Sequence, residues 1–174
     1  MTTSPDQPWL LPEPEPGTLP DRTEVEELRS VELEADGTAA SVGRRLVHDE
    51  LVDWGLADLA DDAVLVASEL ITNGLLHGRR PRPDGGKSSV TVTVARYSSM
   101  VAVSVEDQNL ALPVERVAGA DDTGGRGLEL VSALSDHLTL GQTEAGDGKR
   151  ITAYWRSDGT AKCLQTATEP ALAS

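Results

Sequence analysis

Two runs of alternating residues constrain this chain more than anything else in it. Val90, Val92 and Val94 alternate with Thr91 and Thr93, and Val101, Val103 and Val105 alternate with Ala102 and Ser104. A period of two puts the valines of each run on one face of a strand, and the short connection Arg96–Met100 makes the pair a hairpin. Val31 and Leu33 against Glu32 and Glu34 predict a half-buried strand over Ser30–Ala35, while Leu138–Leu140 and Ile151, Ala153 and Trp155 predict two more. Helical spacing supplies the cover such strands need. Val42, Leu46, Val47, Leu51 and Trp54 predict a helix capped by Thr38 and ended by Gly55. A second runs from about Ala60 to Leu76 with Ala63, Val66, Ala67, Leu70 and Ile71 on its apolar face and Asp61 and Asp62 in its first turn. A short third helix spans Leu128–Asp136. The order β-α-α-β-β-α-β-β, with hairpin-linked strands and grouped helices, predicts an α+β two-layer sandwich: a mostly antiparallel sheet with helices on one face.

Composition sets what this sandwich can do. Apolar residues make up 39% and aromatic residues 3% of the 174, with no Phe, so the core is aliphatic. Fifteen Lys+Arg against 29 Asp+Glu leave a net charge of −14, which argues against binding a nucleic-acid backbone or an anionic membrane. Any phosphorylated ligand must be held locally, by backbone N–H groups, a metal ion or a few side chains. Cys163 is the single cysteine, so no intrachain disulfide forms. With no basic–apolar signal pattern and no apolar run near the ~20 residues of a membrane span, a cytoplasmic location is expected. Six of the ten prolines fall in residues 1–20, which predicts a flexible acidic arm over 1–24, a body over 25–158 and a flexible tail over 159–174. Within the arm, Trp9, Leu10 and Leu11 form a small apolar cluster.

Several familiar sites fail. Gly86-Lys87-Ser88 ends like a P-loop, but Pro81 stands where its first Gly belongs and a strand follows where a helix is required. Gly125-x-Gly127 lacks the third Gly of a dinucleotide fingerprint. His48, His77 and His137 are far apart, the lone Cys completes no zinc set, and no G-x-S-x-G elbow occurs.

Three features remain. Glu69, Asn73 and His77 recur at i, i+4 and i+8, a polar stripe on an otherwise apolar helix. A carboxylate there can take a proton, and an amide oxygen can coordinate Mg²⁺; equally, the stripe can be merely exposed. Asp107 ends an interior strand, where it is either a turn former or an acceptor for an exocyclic amine. Asp121–Leu128 is a Gly-rich loop feeding a helix, either a linker or a junction whose free N–H groups hold an anion.

Taken in order, these segments resemble the histidine-kinase-like (Bergerat-fold) ATPase superfamily, and within it the anti-sigma-factor serine kinases and their actinobacterial ATP-binding relatives. Glu69-Leu-Ile-Thr-Asn73-Gly-Leu-Leu-His77 matches the family's N box. Val103-Ser-Val-Glu-Asp107 matches its first G box, Gly125-Arg-Gly127-Leu128-Glu-Leu-Val131 its second, and Gly148-Lys149-Arg-Ile-Thr-Ala the strand that closes the domain. The resemblance covers roughly Glu26 to Ser157. It implies ATP and Mg²⁺ as ligands, with Asn73 on the metal, Asp107 on the adenine amine, and Gly125, Arg126, Gly127 and Leu128 around the phosphates. It implies Glu69 as general base, His77 at a position usual in the group, and a flexible ATP lid over Ala111–Thr123. The partner it implies is an anti-sigma-factor antagonist, a sigma factor or both, and a homodimer, since kinases of the group are often dimers. An ATP-binding interaction module and an ATP hydrolase are the alternative functions. One residue departs from the pattern: Asn109 stands where the first G box commonly has Gly, a turn that Asn's tolerance of positive φ would preserve.

Overall fold

The computed structural model describes residues 15–77, 88–110 and 127–158. The strands are β1 (Glu27–Glu34), β2 (Ser89–Arg96), β3 (Met100–Asp107), β4 (His137–Gln142) and β5 (Lys149–Arg156). The helices are α1 (Ala39–Asp53), α2 (Ala57–His77) and α3 (Gly127–Leu134). The strands form one sheet in the order β1-β2-β3-β5-β4, every neighbouring pair antiparallel. All three helices pack together, and α1 and α2 lie on the sheet, α2 reaching β2, β3 and β5. This is the α+β sandwich expected from the alternating runs.

Local chemistry explains the boundaries. Thr38 precedes α1, but its hydroxyl caps nothing; the Asp36 carboxylate does so, accepting from the N–H groups of Thr38 at 2.8 Å and Ala39 at 3.1 Å. Gly55, at φ +74°, ends α1. Its N–H donates to Val52 O at 3.0 Å and that of Leu56 to Leu51 O at 2.8 Å, a closure that needs a left-handed residue. The turn is so tight that α2 begins at Ala57. Asp58 therefore occupies its first turn, and Asp61 and Asp62 fall later than their sequence suggests.

The valine rows face the helices. Val90, Val92, Val94, Val101, Val103 and Val105 are buried with Val47, Leu51, Leu70 and Ile71 from the helices and Ile151, Ala153 and Trp155 from β5. The Trp155 indole N–H donates to Leu134 O at 2.6 Å, joining β5 to the end of α3. Leu70 sits in the middle of this layer at 2% exposure. Leu70→Ala is expected to destabilise the chain by about 2–5 kcal/mol, read as a fall in Tm without loss of the α+β circular-dichroism signature.

The opposite face of the sheet is covered in part. Ala95, Tyr97, Met100 and Ala102 form a second buried cluster with Leu19, Val25 and Tyr154. Burial, with Tyr154 close by, pushes the Tyr97 hydroxyl above the usual tyrosine range, so it stays neutral. Proline content alone assigns residues 15–24 to a loose arm, yet here they run along the domain. Asp21 and Glu24 close a capping box on a 3-10 turn, and Arg22 pairs with Glu144 at 2.8 Å. Trp9–Leu11 and the tail from 159 lie outside the described residues.

Candidate functional site

The sheet positions one carboxylate through strand parity. Val101, Val103 and Val105 point towards the helices, so Asp107, next in that row, points the same way at the strand's end and is 7% exposed. α2 passes directly above it. A Cβ placed on Gly74 would lie 2.8 Å from Val90 Cγ1 and 3.7 Å from Asp107 Cβ, so this position needs glycine for the helix to approach the sheet. Asn73, the preceding residue, is thereby brought to the neighbourhood of Asp107.

Helical periodicity then sets Glu69 one turn before Asn73, both half-buried and both facing the first residue of α3. A Cβ on Gly127 would lie 2.8 Å from Glu69 Oε2, 3.4 Å from Asn73 Nδ2 and 3.9 Å from Asn73 Oδ1. Glycine here lets the start of α3 lie close against the stripe, where a larger residue would collide with the Glu69 carboxylate. The first N–H groups of α3 have no partner within the helix and carry its positive end, the arrangement that receives anions. Leu128 contributes a backbone N–H only, because its side chain is part of the core.

Four of the residues singled out by sequence, Glu69, Asn73, Asp107 and Gly127, thus converge around the end of α2, with Leu128 immediately behind. His77 closes α2, and its side chain lies outside what is described. Gly125, Arg126 and the lid segment Ala111–Thr123 also lie outside the described residues. The turn at Asn109 is built differently from expectation. No non-glycine among the described residues has positive φ. Instead the Asn109 N–H donates to Asp107 Oδ1 at 2.9 Å, a side-chain-closed turn that needs no left-handed residue.

Sequence reading missed Lys149. Its Nζ lies 2.9 Å from Asp107 Oδ2 and 3.0 Å from Oδ1, and donates to Asn109 O at 3.1 Å. The signal was available: Lys149 precedes Ile151, Ala153 and Trp155 by two in the inward row of β5, and the register sets it opposite Asp107.

The donor set fits magnesium triphosphate. The amide oxygen of Asn73 suits a hard cation, and the N-terminal end of α3 suits phosphate. Among the described residues no group of three or more His, Cys, Asp or Glu could hold a metal by itself. A magnesium ion here would therefore be shared between Asn73 and phosphate oxygens, a common mode for this ion.

An antiparallel sheet covered on one face by helices, with the first residue of α3 against a carboxylate–amide pair, is a two-layer sandwich of the Bergerat type. The chain belongs to the histidine kinase-like ATPase domain family, whose model matches residues 28–155. Among solved structures it is similar to the RsbU and RsbW domains of a Mycobacterium tuberculosis protein, at 22% identity over 75% of this chain with a TM-score of 0.55. The chain spans 32% of the length of that protein's structure. It is also similar to the SiaB–SiaC complex of Pseudomonas aeruginosa, at 16% identity over 76% of this chain and 90% of that one, with a TM-score of 0.49. No curated protein sequence matches significantly. Among the described residues no helix is long and apolar enough to cross a membrane.

Proposed function

We propose that this chain is an ATP- and magnesium-dependent regulatory serine kinase that phosphorylates an anti-sigma-factor antagonist, sequesters a sigma factor, or does both. The observation that carries the proposal is the placement of Glu69 and Asn73 against Gly127. It supports a division of labour in which Asn73 orients the metal, α3 takes the phosphates and Glu69 remains next to the transferring group. Glu69 accepts the proton of the attacking serine hydroxyl as the new P–O bond forms. The bond from the γ-phosphorus to the β-bridging oxygen breaks, and ADP leaves with that oxygen. Asp107 accepts from the nucleobase at the far end of the cleft. The 25–158 body performs all of this, in the cytoplasm, and the chain's formal net charge of −14 argues against a nucleic-acid partner. The partner class follows from the resemblance of the N and G boxes to the anti-sigma-factor kinases.

A second reading, a non-catalytic interaction module that uses ATP, or no nucleotide, only to shape a surface for a partner, is favoured by the base end of the site, where Asp107 already holds Lys149 and Asn109 closes the turn. A single-turnover reaction with γ-labelled ATP and candidate antagonist proteins separates the readings. Label on an antagonist serine supports the kinase. Bound nucleotide with no transfer to any candidate supports the module, and free phosphate released without an acceptor supports a hydrolase.

A further inference from the structure

Asp107 and Lys149 form the one buried ion pair among the described residues whose two side chains are both below a tenth exposed. Nothing in the chemistry proposed above uses the lysine. Nζ donates to Asp107 Oδ1 at 3.0 Å and to Asn109 O at 3.1 Å, and Oδ2 lies 2.9 Å away as the second oxygen of the ion pair. A carboxylate has about four acceptor positions, two on each oxygen. Oδ1 receives N–H groups from both Lys149 and Asn109 and is full; Oδ2, beside the ammonium at 2.9 Å, keeps a position for one further donor.

Resting on the nucleotide reading, we propose that Lys149 is the base-selecting residue of this pocket: by filling Oδ1 it leaves Asp107 able to read one N–H and not two. Adenine offers a single amine N–H beside a ring acceptor, and one position on Oδ2 satisfies it. Guanine offers two parallel N–H groups, N1–H and N2–H, and is read by a carboxylate through both oxygens at once. With Oδ1 occupied, one of guanine's donors is buried without an acceptor, a penalty that falls on guanine alone. The pair also holds the carboxylate neutralised, so an uncharged purine edge meets no bare buried charge.

The test is calorimetric binding of the magnesium complexes of ATP, GTP and ITP to the full chain. ITP is GTP without the 2-amino group, so the GTP/ITP ratio reads whether a second N–H finds an acceptor. Wild type is expected to prefer ATP over GTP by about 50-fold or more and to bind ITP about 10-fold more tightly than GTP, because GTP alone buries an N–H without an acceptor. Lys149→Met, which keeps the aliphatic stem, is expected to tighten GTP relative to ITP by about 10-fold, while Lys149→Arg keeps the wild-type pattern. GTP binding as tightly as ITP, or more tightly, in wild type would overturn the proposal without any variant. So would an unchanged ratio in Lys149→Met, or in Lys149→Gln should the Met variant not fold. Wild type that binds none of the three nucleotides would instead bring down the nucleotide reading itself, a different and recognisable result.

Discussion

Glu69→Gln is expected to abolish phosphoryl transfer while leaving magnesium–ATP bound. The amide is isosteric with the carboxylate, so the packing against Gly127, where Oε2 sits 2.8 Å from a Cβ position, is retained. What disappears is the carboxylate that lies against Gly127, the first residue of α3. A general base contributes roughly 10²–10⁴-fold to the rate, and the loss should appear in the single-turnover rate constant at saturating ATP. Nucleotide affinity should change by less than about 3-fold, since Glu69 is assigned to the hydroxyl and not to the metal. A rate within about 10-fold of wild type would mean that another group takes the proton. An equal loss of affinity and rate would mean that Glu69 supports binding, and the division of roles between it and Asn73 would be wrong.

Asn73→Ala is the complementary experiment, with its effect on binding. Asn73 sets its side-chain amide against the start of α3, Nδ2 at 3.4 Å and Oδ1 at 3.9 Å from a Cβ position on Gly127, while the next residue is wedged over Asp107. Truncation leaves that wedge intact and removes one oxygen donor from the metal. With few protein donors available to magnesium here, losing one is expected to weaken ATP binding by about 10–100-fold in magnesium and to leave metal-free binding nearly unchanged. Titrations with and without chelator read the difference. If both affinities fall together, Asn73 is structural; if neither falls, the metal is held elsewhere.

Much of this architecture was legible before coordinates. The alternating valines of β2 and β3 and the inward row of β5 follow from a period of two, and the helix stripe of Glu69 and Asn73 from 3.6 residues per turn. What stayed hidden was chemistry across strands. Asp107 and Lys149 are 42 residues apart, and no local pattern pairs them; only the antiparallel register of β3 with β5 puts them opposite each other. The cap of α1 was misplaced for a related reason. Asp36 and Thr38 both carry capping oxygens, and the backbone path chose the aspartate. The turn at Asn109 was read as needing left-handed backbone, whereas the neighbouring carboxylate closes it at ordinary φ. Leu19 shows a fourth case: proline content argues for a loose segment, but a single leucine on an apolar cluster with a capped turn beside it is enough to lay the chain on the sheet.

The most direct trial of the central claim is a titration of the full chain with ATP, run once with magnesium and once with chelator, with inorganic triphosphate as the control. A cleft made by Glu69, Asn73, Asp107 and Gly127 predicts one nucleotide per chain, affinity at least about 10-fold higher with magnesium, and triphosphate bound more weakly than ATP because it offers Asp107 nothing. No heat with magnesium–ATP, or triphosphate binding as tightly as ATP, would contradict it.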